Sequence, residues 1–153
     1  MAKSRYKNAK DKRDGGRFLA VPVSVLNGAA YLGCGSHARM LLFDLLAQYR
    51  GDNNGDLCMA FSFMKPRGWK STHTLIAAKR ELLNAGLIIE TRMGARPNKA
   101  SLYAVTWHAL DECGGKLDIS AQGFQRGAYK QKDSLPLMIK NATLNAVAAS
   151  RTE

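Results

Sequence analysis

A metal site, a nucleophile or an acid–base pair would have to be built here mainly from His37, His73, His108, Cys34, Cys58 and Cys113. The three histidines are far apart and show no HExxH or Cys-His spacing. The three cysteines form no CxxC pair, and His108 with Cys113 supplies two ligands where zinc wants four. They read as reduced, packed thiols of a cytoplasmic protein. Asp111 and Glu112 are adjacent, so they do not face one site, and they read as a solvated turn. No GxxxxGK[ST], GxGxxG or GxSxG cradle or elbow is present. The expectation is therefore no catalytic residue, no metal, no cofactor, no small-molecule ligand and no enzyme activity.

What the chain carries in excess is positive charge. Its 153 residues hold 23 Lys and Arg against 12 Asp and Glu, for a net charge of +11 and a pI of about 9.9. A surplus of that size repels itself and suits a polyanion, most often nucleic acid. The charge is also clustered. Lys65, Arg67, Lys70, Lys79, Arg80, Arg92, Arg96 and Lys99 face only Glu81 and Glu90, so residues 65–99 net +6. The remainder of 18–113 nets −3, with Arg39 and Arg50 against Asp44, Asp52, Asp56, Asp111 and Glu112. Inside the basic stretch Lys70, Ser71, Thr72, His73, Thr74, Ala77 and Arg80 fall close together, followed by Arg92, Arg96 and Lys99. Arg pairs bidentately with guanine, Ala and Thr methyls meet a thymine methyl, and Lys and Arg neutralise phosphates.

Such residues act together only if helices and a turn position them. Ser36 is placed as the N-cap of a helix reaching about residue 49, with Ala38, Leu41, Leu42, Leu45, Leu46 and Tyr49 on one stripe. Residues 51–55, Gly-Asp-Asn-Asn-Gly, stop it. Ahead of it, residues 21–32 read as a strand or turn and one short helix. Residues 57–60 read as a short strand and 61–65 as a short helix ended by Pro66-Arg67-Gly68. Ser71 caps the next helix, which runs to about Ala85 with Gly86 as its stop. At 100° per residue Leu75, Ile76, Ala78, Leu82, Leu83 and Gly86 share one side of it. His73, Ala77, Arg80 and Asn84 lie opposite, with Thr74 and Glu81 at the edge. Lys79 falls in the middle of the apolar stripe, where it must snorkel or pair. Residues 87–92 and 100–107 alternate as strands around a basic, turn-rich tip at 93–99. Tyr103 and Trp107 share a strand face and read as core.

The segments Ser71-Thr72-His73-Thr74-Leu75, Arg80 to Ile88 (Arg-Glu-Leu-Leu-Asn-Ala-Gly-Leu-Ile) and Leu102-Tyr103-Ala104-Val105-Thr106 resemble the winged helix-turn-helix family over about 36–107. The pattern is a Ser or Thr cap, a Thr three residues on, and a helix ending in Leu-x-x-x-Gly-Leu-Ile before a basic hairpin. Lys79 departs from it, since that position is usually aliphatic. In overall texture the stretch is similar to small plasmid- or prophage-encoded winged-helix proteins, some of them replication-initiator-like. The resemblance implies an α+β, mostly helical domain with a C-terminal β-hairpin wing. It also implies duplex DNA as partner, with a role in transcription regulation or DNA replication. Lys70, Ser71, Thr72, His73, Thr74, Ala77 and Arg80 would then lie at the major groove. Arg92, Arg96 and Lys99 would touch the adjacent backbone or minor groove. Regulators of this fold are often homodimers, though no long zipper is present. The rival reading is a protein-interaction module whose basic face meets an acidic protein surface; RNA binding by the tails is a third.

The organised part is read as 18–113, and 46% hydrophobic residues allow it a core. Residues 1–17 net +5 with few apolar side chains and read as a disordered basic arm. Residues 114–153 read as a mostly flexible tail with a short helix over 137–149. The apolar runs are far shorter than the ~20 residues that span a bilayer, and no secretory signal is expected. A cytoplasmic protein without membrane contact follows.

Overall fold

The computed structural model describes residues 13–131; the expected helix over 137–149 and most of the expected N-terminal arm lie outside the described residues. The class is α+β. Among the described residues there are five α-helices and one three-stranded antiparallel sheet. No described helix is long and apolar enough to cross a membrane.

The stretch expected to hold a strand or turn and one helix folds as two single-turn helices instead. They are α1 (Val23–Leu26) and α2 (Ala29–Leu32). Pro22 starts the first, and its carbonyl accepts the Val25 amide. Gly33 and Cys34 close the second. Arg39 then bonds back to the carbonyls of Leu32 and Cys34 and lies over the Tyr31 ring.

Helix α3 (Ser36–Leu46) buries the expected stripe of Ala38, Leu41, Leu42, Leu45 and Leu46. Its cap differs from expectation. Gly35 takes the N-cap position, and its amide donates to the Glu81 carboxylate at 2.9 Å. A partner distant in sequence thus satisfies the helix end that Ser36 was expected to cap. The helix also stops a turn early. The Gln48 side chain leaves the helical path and pairs with Cys58 as a strand would, donating to its carbonyl at 2.8 Å and accepting its amide at 2.9 Å. Asn53 closes the end by donating to the Gln48 carbonyl and accepting the Arg50 amide.

Strand β1 (Leu57–Cys58) is followed by α4 (Phe61–Met64) and a 3-10 turn at Lys65–Arg67. Helix α5 (Thr72–Asn84) packs on α3. Strands β2 (Ile88–Arg92) and β3 (Leu102–Val105) form a hairpin, and β3 lies between β1 and β2. Pairing runs from Ile88 opposite Val105 to Arg92 opposite Leu102, with a bulge between Glu90 and Arg92. Leu41, Leu45, Leu57, Leu82, Leu87, Ile88, Tyr103 and Val105 belong to one core that joins helices and sheet.

Asn54, in the turn after α3, is wholly buried. Its Nδ2 donates to the carbonyls of Val105 and Ala109, and its Oδ1 accepts the Val105 amide, so a side chain continues the ladder of β3.

The folded unit does not end at Cys113. Phe124 and Tyr129 are buried, and Tyr129 joins the core. The Gly127 amide donates to Thr106 O at 2.7 Å and the Asp118 amide to Thr91 O at 2.8 Å. Gly86, which ends α5 at φ +73°, has Ala128 O only 2.9 Å from where a Cβ would stand. That position needs glycine for its backbone and for the returning chain alike. The segment reads as a tail in the sequence because Phe124 sits in irregular backbone and Tyr129 in a single 3-10 turn, Ala128–Lys130, where no period marks them.

Candidate nucleic-acid interface

Helix α5 begins as its sequence dictates. Ser71 is extended, and its Oγ accepts the Thr74 amide at 3.3 Å. The preceding turn is fixed by a carboxylate that the sequence reading did not single out. Asp44, 9% exposed on α3, accepts Arg67 Nε at 2.7 Å and the indole Nε1 of Trp69 at 2.8 Å. Trp69 is itself 2% exposed and lies beside His37, with ring centroids 6.2 Å apart. The only sequence signal for Asp44 was one acid flanking an apolar stripe. Glu81 ties the far end of α5 to the start of α3.

The rotation of α5 differs from the helical-wheel expectation. Its buried side is Leu75, Ala78 and Leu82, with Ala85 just past the end. Leu83 is half-buried, and Ile76 leaves the stripe at 43% exposure. The same rotation accommodates Lys79, which sits half-buried at the margin with Nζ 5.9 Å from the centroid of the Tyr103 ring. A cation over an aromatic face is the pairing its position demanded. Burial pushes the Tyr103 phenol up to about 12, so the ring stays neutral beneath the ammonium at any ordinary pH.

His73, Ala77, Arg80 and Asn84 are all exposed, as are Lys70, Ser71 and Thr72; Thr74 is half-buried. Lys70, Ser71 and Thr74 border a shallow hollow of about 180 Å³ shared with His37, Met40 and Trp69. Glu81 is the one acid of α5, and its carboxylate is engaged by Gly35.

The hairpin tip is braced from within. Ala95 and Lys99 exchange backbone hydrogen bonds at 2.8 Å. A Cβ on Gly94 would stand 2.8 Å from Lys99 O and 2.9 Å from Ser101 N, so the two strands close only over glycine. Arg92 is used here: Nε and Nη2 both donate to Ala100 O, at 3.2 and 2.8 Å. Expected to touch the adjacent DNA backbone or minor groove, Arg92 has its guanidinium engaged across the hairpin. Arg96 and Lys99 remain exposed. The Asp118 carboxylate accepts the Met93 amide at 2.9 Å, fastening the hairpin to the C-terminal segment.

Of the basic cluster, Arg67 is paired with Asp44, Lys79 lies over Tyr103 and Arg92 is bonded to Ala100. The exposed cations left for a ligand are Lys65, Lys70, Arg80, Arg96 and Lys99. Among the described residues, no group of three His, Cys, Asp or Glu side chains is placed to hold a metal ion. His108 stacks on Tyr49 at 4.8 Å, and burial lowers its pKa. Cys34 and Cys58 are buried. No family model, curated protein or solved structure matches this chain.

Proposed function

We propose that this is a winged-helix protein that binds duplex DNA, serving a mobile element as a transcription regulator or an initiator-like replication protein. Helix α5 enters the major groove with Thr72, His73, Ala77 and Arg80 toward the base edges. The β2–β3 hairpin is the wing, and Arg96 and Lys99 meet the adjacent phosphates or minor groove. Lys70 and the first amides of α5 take a backbone phosphate. The observation that carries this reading is the exposed side of α5. It presents His73, Arg80, Asn84, Ala77 and the exposed Ile76, while its one carboxylate, Glu81, accepts the Gly35 amide. With its one acid drawn toward the start of α3, that side of the helix meets a phosphate backbone with little repulsion.

The test is selection from a random duplex pool followed by a salt titration. With about 4 phosphates neutralised by Lys65, Lys70, Arg96 and Lys99, the slope of log affinity against log salt is expected near about −4. A flat response removes the electrostatic reading and leaves the protein-interaction module in its place.

A further inference from the structure

Ile76 does not serve the core. Leu75, Ala78 and Leu82 complete the α3–α5 contact, and Ile76 stands 43% exposed on the other side of its helix. It does not serve the helix either, because a β-branched residue is a weaker helix former than the alternatives. Its helical neighbours are what give it a context. His73 lies three residues before it and Arg80 four after, so these side chains adjoin on the surface, with Ala77 beside them. A patch of two apolar side chains is thus set between two base-reading ones. In the major groove the apolar feature that a base edge offers is the C5 methyl group of a pyrimidine.

We propose that Ile76 and Ala77 form a methyl-reading pair, so that duplex binding depends on a pyrimidine C5 methyl group next to the bases contacted by His73 and Arg80. This rests on the placement of α5 in the major groove. Thymine is the ordinary source of that methyl, and 5-methylcytosine presents the same group. Removing one such methyl from water contributes about fourfold in affinity, so Ile76 would tune specificity more than overall affinity.

The test uses the full chain and duplexes recovered from the random pool. These are resynthesised in three forms: unchanged, with uracil for thymine, and with 5-methylcytosine for cytosine. Loss of about fourfold per covered methyl in the uracil form identifies thymine. A gain confined to the methylcytosine form identifies that base instead. Ile76→Ala is expected to bring the ratio between methylated and unmethylated forms toward one and to leave affinity for the unmethylated form nearly unchanged. Because Ile76 is exposed, that variant is expected to keep its fold, checked by its melting curve. Equal binding of all three forms, with a steep salt slope retained, overturns the methyl pair and leaves the groove reading standing. Absence of duplex binding altogether overturns both.

Discussion

Replacing Asp44 by Ala is expected to cost about 3 kcal/mol. The carboxylate has two donors of unequal weight. Trp69 Nε1 is held at 2.8 Å on a residue that is 2% exposed, so the indole donor is left buried when its acceptor is removed. A buried donor left unpaired costs about 1–3 kcal/mol. Arg67 binds at 2.7 Å, but its side chain is 45% exposed and can turn to solvent, so its share is about 0.5–1 kcal/mol. For a domain of this size about 4 °C of melting temperature corresponds to each kcal/mol, giving a fall of about 12 °C. The assay is urea and thermal unfolding of four proteins: wild type, Asp44→Ala, Trp69→Phe and the double variant. Phenylalanine carries no donor, so the double variant is expected to be less damaged than the sum of the singles by about 1–2 kcal/mol. Arg67→Ala should cost about 1 kcal/mol or less. An Asp44→Ala cost below about 1 kcal/mol, or strict additivity with Trp69→Phe, refutes the assignment of the carboxylate to the indole.

Four further outcomes are expected. Arg96→Ala with Lys99→Ala should weaken binding to all duplexes alike and flatten the salt slope by about 1 per lost contact, as measured by fluorescence titration at several salt concentrations. Asn54→Ala and Asn54→Asp should both destabilise by about 3 kcal/mol in urea unfolding, since neither side chain can donate to Val105 O and Ala109 O. A chain ending at Cys113 should lose about 4 kcal/mol or more, because it gives up the burial of Phe124 and Tyr129; an unchanged unfolding midpoint would restore the shorter domain. His108, lowered below its ordinary 6.5 first by burial and then by Arg126, takes its proton more readily in the unfolded chain. Its contribution is therefore whole above pH 6.5 and is lost as pH falls through the lower folded value, and His108→Gln should shrink the drop in melting temperature between pH 7 and 5.

What the sequence made legible is what local chemistry decides. Ser71 as cap, Gly86 as stop and the strands β2 and β3 each follow from a few neighbouring residues, and each is present, although β3 is buried throughout where alternation is expected. Where a distant group intervenes, local reading fails. Ser36 loses the cap to Gly35 because Glu81 arrives from α5. Residues 47–49 leave the helix because Gln48 finds Cys58. The wheel places Ile76 inside because it weighs hydrophobicity alone, whereas the packed side of α5 is centred on Leu75, Ala78 and Leu82, which leaves Lys79 at the margin and Ile76 exposed. Among the candidate contacts, the exposure of His73, Ala77 and Arg80 on one side of α5 follows from type and spacing. The brace role of Arg92 depends on which carbonyl faces it across the hairpin, and no spacing along the chain encodes that.

Helix α5 is fastened to α3 through Glu81 near its end and through the Asp44–Trp69 contact just before its start. Neither fastening uses His73, Ile76, Ala77 or Arg80. Substitutions at these four positions therefore fall on a surface whose support is anchored elsewhere, and most should be near neutral for stability. A lineage, or an engineer, could exchange the whole row for other side chains without renegotiating the core. The architecture separates the part that must be inherited intact from the part that is free to be rewritten.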